Sequence, residues 1–434
     1  MNTTFRLTLL YLTLFLTTTL IGSVLLYIPI TGKKSISFID AFFIATSAFT
    51  VTGLSTVDIP NQFNDLGYFV ILMLIQIGGL GIVTLTVFIL ILSRKNITFK
   101  NRELLKYTWS EDNDSGLLQI TLRLVIFSFI VECIGAIILS FVFIPDLGLY
   151  NGVFTSIFTS ISSFNNAGFS LFSDNLMSYN DNFIVNFIVP LLIIIGGLGY
   201  IVFVDIWKAN RISTLKLHSK IVLLTTTILI LFGSLSFWLL EFNHTLKGDA
   251  WYVQIYKAFF QSVSTRTAGF NTVDIGKLHD STLLVFDFLM FIGAAPMSTG
   301  GGIKVTTMTI LFVYFYTQLK GQSHPHIFKK TIETEQMNKA ITVSALSGIL
   351  VLLCTFLILI IDSNLNLSKV LFEVISAFGT VGLSTGITAN LSSISKVILI
   401  LLMIIGKIGI LIILSIFIHP KKDLYYYSKE KIHL

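Results

Sequence analysis

The sequence predicts an all-α integral membrane fold, with eight transmembrane helices built as four parallel span–pore-helix–span repeats around one central pore. Three observations predict it. Of 434 residues, 54% are hydrophobic and only 12% are charged, against roughly 25% charged in a soluble domain. The apolar residues gather into eight long runs. Between them a short polar stretch with one glycine recurs four times: SAFTVTGLST (Ser47–Thr56), SSFNNAGFSLF (Ser162–Phe172), STRTAGFNTVD (Ser264–Asp274) and SAFGTVGLSTG (Ser376–Gly386).

The long runs cover residues 7–30, 66–92, 117–144, 183–206, 221–241, 281–319, 340–361 and 394–418. Each can cross a hydrocarbon core of about 30 Å, which takes roughly 20 residues. The first, Leu7–Ile30, lacks a small-residue cleavage pattern after it and reads as a true span. Shorter apolar stretches at 37–49, 151–164, 251–265 and 367–379 cannot cross and fit re-entrant helices. Each leads into one of the glycine stretches, so the unit is span, short helix, glycine loop, span. The glycines, Gly53, Gly168, Gly269 and Gly382, mark an internal repeat that has diverged in sequence and kept its pattern. The division is repeat 1 (1–93), a loop (94–116), repeat 2 (117–207), a loop (208–220), repeat 3 with a broken sixth span (221–319), a loop (320–339), repeat 4 (340–419) and a tail (420–434).

Charge sets the orientation. Arg94, Lys95, Lys100, Arg102 and Lys106 follow the second span, and Lys208, Arg211, Lys216 and Lys220 the fourth. Lys320, Lys329, Lys330 and Lys339 follow the sixth, and Lys421, Lys422, Lys429 and Lys431 the eighth. The opposite loops are richer in acids, among them Asp40, Asp58, Asp65, Asp146, Asp174 and Asp181. The positive-inside rule then puts both termini in the cytoplasm and the glycine loops on the outer side. The net charge of +6 is a topology signal, split among short loops, and does not form a nucleic-acid footprint.

Each repeat crosses twice, so successive repeats share one orientation and can surround an axis along the membrane normal. Four equivalent loops then meet at the centre. A bare ion needs something to replace its water, and rings of backbone carbonyls do so for potassium. Turning successive carbonyls to one side demands backbone conformations that glycine adopts readily. TVTGL and GTVGL also echo the potassium-filter sequence TVGYG.

At these residues the chain resembles the Trk/Ktr/HKT superfamily of cation transporters, most closely its KtrB-type membrane subunits, over almost its whole length. The resemblance implies potassium uptake across the cell inner (plasma) membrane, with the four loops as a selectivity filter. By motif the filter residues are Thr50, Val51, Thr52 and Gly53; Asn165, Asn166, Ala167 and Gly168; Arg266, Thr267, Ala268 and Gly269; and Gly379, Thr380, Val381 and Gly382. Glycine in all four loops matches the family's potassium-preferring pattern. A homodimer with one pore per protomer is implied, with a cytosolic KtrA-type nucleotide-binding ring as regulator. Potassium is the transported ion and sodium a candidate activator; no cofactor is expected on this chain. The alternative within the superfamily is a sodium-conducting or sodium-coupled symporter.

Two further stretches match. GAAPMSTGGGIK interrupts the sixth run, and Pro296 and Gly300–Gly302 both oppose helix there. In the family this is an intramembrane gate loop beneath the filter. It comprises Gly293, Ala294, Ala295, Pro296, Met297, Ser298, Thr299, Gly300, Gly301 and Gly302, with Lys304 beyond. Pro296 and Met297 stand where the family has small polar residues. Lys407, within IIGKIGIL, lies mid-span, where an ammonium is costly unless it faces water or a partner. The family has arginine there, beside the gate. Two roles stay open for Lys407: a gate or permeation barrier, or a structural ion pair with Glu132 or Asp287.

Other signals carry less. GGLG, at Gly78–Gly81 and Gly196–Gly199, follows no strand and reads as close packing against the filter. Arg266 is expected to point behind the filter toward Glu373 or Asp40. His324 and His326 on a cytoplasmic loop lack further ligands, and Cys133 and Cys354 lie deep in apolar segments. With no P-loop, no zinc-protease motif and no nucleophile setting, the chain is not expected to be an enzyme.

Overall fold

A computed structural model describes residues 3–81, 84, 85, 87, 88, 117–209, 211–322 and 324–412. The loop at 94–116 and the tail from 413 lie outside the described residues, and with them the basic residues Arg94–Lys106 and Lys421–Lys431. The regular structure of the described residues is helical apart from one short hairpin, β1 (His326–Ile327) with β2 (Lys330–Thr331).

Repeat 1 holds α1 (Thr3–Tyr27), α2 (Phe38–Phe49) and α3 (Asp65–Leu80). Repeat 2 holds α4 (Leu117–Leu147), α5 (Leu149–Phe164), α6 (Phe183–Leu198) and α7 (Tyr200–Lys208). Repeat 3 holds α8 (Leu217–Glu241), α9 (Trp251–Ser264), α10 (Asp280–Phe291) and α11 (Val305–Leu319). Repeat 4 holds α12 (Thr334–Ile361), α13 (Leu367–Gly379) and α14 (Ser393–Ile408). The four short helices α2, α5, α9 and α13 fall where the sequence puts them.

The spans differ from the expectation of eight transmembrane helices of which only the sixth is broken. Among the described residues, four are long and apolar enough to cross a membrane, and they are the first helix of each repeat: α1, α4, α8 and α12. The second helices are broken. α6 and α7 are long enough only together, and they meet at a bend of 88°. α3 and α14 stop after 16 residues each, and α10 is separated from α11 by the segment 292–304. For α3, α6 and α14 the physical cause is shared: Gly81, Gly199 and Gly409 end these helices at φ of 85°, 80° and 96°, a region closed to side-chain-bearing residues without strain.

Local chemistry sets the other ends. Asn64, Asn182 and Ser392 cap α3, α6 and α14 by accepting from the amides of Leu66, Val185 and Ser395. In repeat 3 no side chain caps α10 in this way; the Glu241 carboxylate instead accepts from the amide of His279, just before the helix, at 3.0 Å.

Polarity is inverted relative to a water-soluble protein. The short helices bury Thr46, Ser47, Thr159, Ser160, Ser162, Gln261, Ser262, Glu373 and Ser376. The long helices turn apolar side chains outward, including Leu16, Ile21, Phe129, Ile137, Phe141, Ile228, Leu231, Leu235, Leu352 and Phe356. Apolar faces of that extent fit lipid.

Contacts link the four stretches in order. Ser173 donates to Asp58 at 2.8 Å, joining repeats 2 and 1. The Leu176 amide donates to the Asn271 carbonyl at 3.1 Å, joining 2 and 3. Gly276 lies against the Thr385 carbonyl, joining 3 and 4. Lys396 pairs with Asp40 at 2.8 Å, joining 4 back to 1.

The second helices lie directly on the short ones. A Cβ on Gly78, Gly196 or Gly406 would collide with the carbonyl of Phe49, Phe164 or Phe378, so the packing role read for both GGLG stretches fits the structure. Gly348 on α12 has open space around it. Gly406→Ala should therefore destabilise the detergent-solubilised protein by about 1–3 kcal/mol, the usual cost of overpacking. Gly348→Ala should stabilise it by up to about 1 kcal/mol through helix propensity. Thermal unfolding of the two variants should shift in opposite directions.

Candidate functional site

The four glycine loops share one construction. Each short helix ends near a serine: Ser47, Ser162, Ser264 or Ser376. The serine carbonyl accepts from the amide of Thr52 (2.8 Å), Ala167 (2.7 Å), Ala268 (3.0 Å) or Val381 (2.8 Å). Its hydroxyl then reaches further along the loop. Ser47 Oγ accepts from the Gly53 amide at 3.1 Å and Ser376 Oγ from the Gly382 amide at 3.0 Å. Ser162 Oγ donates to the Phe169 carbonyl at 2.8 Å, and Ser264 Oγ to the Phe270 carbonyl.

The backbone is left-handed twice in each loop. Val51, Asn166, Thr267 and Thr380 have φ of 52°, 60°, 67° and 49°, and Gly53, Gly168, Gly269 and Gly382 have φ of 93°, 69°, 76° and 95°. Left-handed backbone is costly for β-branched residues such as Val51 and Thr380 and persists only where the surroundings over-determine it. The serine clamps supply that constraint.

The loops close on one another. A Cβ added to Gly53 would lie 2.5 Å from the carbonyl oxygen of Ala167, and one on Gly168 would lie 2.6 Å from that of Ala268. On Gly269 it would meet the Val381 carbonyl closer still, and on Gly382 the Thr52 carbonyl. The order runs 1, 2, 3, 4 and back to 1, a ring in which each glycine faces the carbonyl before its neighbour's glycine. The side chains of Thr50, Val51, Thr52, Asn165, Asn166, Ala167, Thr267, Ala268, Thr380 and Val381 are fully buried, and Gly379 lies against the Met290 carbonyl.

A second layer holds the ring. Asn165 turns away from it and donates to Glu132 at 3.0 Å and to Gln76 at 3.1 Å. Gln76 also donates to Glu132, at 3.1 Å. Glu373 accepts from Ser384 (2.6 Å), the Thr385 amide (2.9 Å) and Thr388 (2.8 Å), fixing the exit of the fourth loop. Asn166 lies 3.2 Å from the Thr267 hydroxyl, tying loops 2 and 3.

Arg266 differs from the expectation. It is 7% exposed and lines a small cavity with Ile193, Ile194, Gly197, Thr226, Val263 and Ala294. It meets neither Glu373 nor Asp40, because both acids are held elsewhere, Glu373 by its hydroxyls and Asp40 by Lys396 and Ser37.

The segment from Gly293 to Lys304 packs against three repeats. Its ends meet, Gly293 donating to the Ile303 carbonyl at 2.8 Å. The Ala295 amide donates to Gly197 at 3.1 Å, on repeat 2. The Gly301 amide donates to Thr380 Oγ1 at 3.0 Å, directly under the fourth loop. A Cβ on Gly300 would collide with Thr267 of the third loop. Gly302 donates to the Gly406 carbonyl at 3.2 Å. Pro296 and Met297 present carbonyls to Gly199, where α6 gives way to α7, with Met297 at φ 57°. Ser298 Oγ donates back to the Ala295 carbonyl at 2.5 Å.

Two lysines hold this segment. Lys407 Nζ donates to the Thr299 carbonyl at 2.6 Å, and Lys304 Nζ to the Gly300 carbonyl at 2.7 Å. An ion pair of Lys407 with Glu132 or Asp287 is not formed. Glu132 is committed to two amides, and Lys407 is committed to the segment. A cavity of about 680 Å³ adjoins them, lined by Pro296–Gly300, Lys304 and Lys407 and extending to Lys216 and His218 at the start of α8.

His324 and His326 sit at the hairpin, with His326 Nδ1 3.3 Å from the His324 carbonyl and no further ligand among the described residues. Sequence reasoning missed the four serines, although every quoted stretch opens on one. It also missed Gln76, whose role depends on a partner 56 residues away.

A sequence profile of cation transport proteins, TrkH, matches residues 11–427. The chain is 39% identical over 422 residues to the Ktr system potassium uptake protein B of Vibrio alginolyticus, covering 96% of this chain and 92% of that one. It is 41% identical over 397 residues to the protein of the same name from Bacillus subtilis, covering 91% and 89%. It is 36% identical over 427 residues to the potassium/sodium uptake protein NtpJ of Enterococcus hirae, covering 96% and 94%. The crystal structure of the potassium transporter TrkH from Vibrio parahaemolyticus superposes with a TM-score of 0.73 at 19% identity, over 94% of this chain and 84% of that one, a likeness of fold.

The clamps give a direct test. Ser376→Ala removes the acceptor for the half-buried Gly382 amide and Ser47→Ala that for Gly53, so each should cost about 1 kcal/mol, the low end of the penalty for an orphaned donor. Thermal unfolding in detergent measures it; an unchanged midpoint in both variants would mean that the clamps do not hold the loops.

Proposed function

The chain belongs to the TrkH family of cation transport proteins, a family of membrane transporters and not of enzymes, and from that we propose that it takes up potassium through the ring of glycine loops. The observation that carries the reading is the closed order Gly53, Gly168, Gly269, Gly382. Each of the carbonyls of Thr52, Ala167, Ala268 and Val381 lies where a Cβ on the neighbouring loop's glycine would stand, so no side chain fits at any of the four. Carbonyls in such a ring replace the water of a potassium ion. The names of the Vibrio and Bacillus relatives agree with potassium uptake.

In this reading the chain crosses the plasma membrane eight times. α3, α6 with α7, α10 with α11, and α14 are the second spans of the repeats, broken where they line the pathway. Both termini are cytoplasmic and the glycine ring opens outward. A homodimer forms, and a cytosolic nucleotide-binding ring docks on the cytoplasmic basic loops, where Lys208, Arg211, Lys216, Lys320, Lys329 and Lys330 are exposed. A second reading, in which sodium is carried or coupled, is favoured by one observation, the potassium/sodium name of the Enterococcus relative.

The segment Gly293–Gly302 is the gate. It lies across the pathway under loops 3 and 4 and is glycine-rich, so it can move with little side-chain repacking. Lys407 and Lys304 hold it by carbonyls and place two fixed cations beside the path, which raises the barrier for a third.

Serine in place of any of the four ring glycines puts a Cβ onto a neighbouring carbonyl. We expect weaker potassium uptake and poorer rejection of sodium, read as growth rescue of a potassium-uptake-deficient bacterium on low potassium with and without sodium. Wild-type uptake and selectivity in all four variants would contradict the carbonyl ring.

Removing three residues of the Gly293–Gly302 segment should raise flux into liposomes and loosen its dependence on the regulatory ring. Lys407→Gln should act the same way more weakly, because Lys304 remains. Unchanged flux and intact regulation in the shortened protein would place the gate elsewhere.

A further inference from the structure

Away from the ring, at the opposite end of α8 from Lys216, one cluster of side chains has a chemistry that potassium transport does not use. Glu241 closes α8, His244 follows it in the next turn, and His279 precedes α10. One ligand atom from each lies within 4.8 Å of the other two, the single such group among the described residues. We propose that these three residues bind a divalent transition-metal ion of the zinc class on the loop face of the third repeat.

The carboxylate is prepared for this. Glu241 is fully buried. Its Oε1 is occupied, accepting from the His279 amide at 3.0 Å and from Thr282 Oγ1 at 2.6 Å. Its Oε2 therefore faces the histidines, 2.9 Å from His244 Nδ1, with Thr245 Oγ1 at 3.0 Å. Such outer contacts fix the orientation of a ligating carboxylate. The only ion pair Glu241 makes among the described residues is with His244, so a dication there would neutralise a charge that has little other compensation.

The imidazoles fit as well. Their rings lie 4.0 Å apart at 32°. Both histidines are exposed, and His244 has 42% of its side chain in contact with solvent. Zinc bound at 2.0–2.2 Å by nitrogen and oxygen in a tetrahedron needs ligand atoms about 3.3 Å apart. The Glu241–His244 pair already approaches that spacing, and a turn of the exposed His279 ring brings in the third ligand, leaving one position for water. Two imidazoles and one carboxylate select borderline transition metals over magnesium and calcium, which prefer oxygen. A bound ion would join the C-terminus of α8 to the N-terminus of α10, the helix that leads into the Gly293–Gly302 segment.

The test uses the full, untagged chain in detergent, with cobalt(II) as a spectroscopic probe and zinc as competitor. Wild-type protein should take up one cobalt with a visible band typical of nitrogen and oxygen ligands, bleached by zinc and untouched by magnesium. Zinc should also raise the thermal unfolding midpoint. The double variant His244→Gln/His279→Gln keeps the His279 amide and Thr282 bonds to Glu241, so it should fold. It should bind cobalt at least about tenfold more weakly and lose the thermal shift, as removal of ligands exceeds the effect of removing their outer contacts. An equal band in the double variant would assign the metal to other histidines, such as His324 and His326, and overturn the proposal. So would a wild type with no band.

Discussion

Four stretches of non-helical backbone share one narrow space inside an apolar envelope, and the rest of the structure follows from that constraint. No lipid can satisfy exposed amides there, so each polar group needs a partner in the protein or in water. The serine clamps supply the first set, holding Thr52, Ala167, Ala268 and Val381 to the ends of the short helices. The second layer, Gln76, Glu132 and Asn165 on one side and Glu373 with its hydroxyls on another, holds the loops from behind. The approach is so close that a Cβ cannot be placed on any of the four glycines. Glycine is therefore required twice over, for its φ and for its lack of volume.

The same constraint explains the breaks in the second helices. Gly78, Gly196 and Gly406 let α3, α6 and α14 lie against the carbonyl ends of their short helices, and three residues later Gly81, Gly199 and Gly409 end those helices. The third repeat departs from the others, because there the break has grown into a segment long enough to reach repeats 2 and 4. Lys407 is fixed to it through a carbonyl and not through an acid.

Much of this was legible in the sequence. The four short helices, the glycine positions and the irregular segment at 293–304 all follow from hydropathy, length and helix-breaking residues, which are local properties. What local properties do not carry was missed or misread. Hydropathy and charge place Arg266 beside Glu373 or Asp40, and allow Lys407 an ion pair with Glu132 or Asp287 as one of its two roles. The structure commits Glu132, Glu373 and Asp40 to other groups, a matter of three-dimensional competition for partners. The breaks at Gly81, Gly199 and Gly409 were hidden because the runs stay apolar through them: hydropathy does not register a change of φ. The serines were in view at the head of every repeat, yet their meaning depends on which amides lie above them.

The central claim is that an ion sits among the carbonyls of Thr52, Ala167, Ala268 and Val381. It is tested most directly by anomalous diffraction from crystals grown in rubidium, a potassium substitute with a usable scattering signal. The account predicts a peak on the axis of the ring, bordered by those four carbonyls, that weakens when sodium replaces rubidium. A ring without a rubidium peak, in crystals where rubidium is bound elsewhere along the chain, would contradict it.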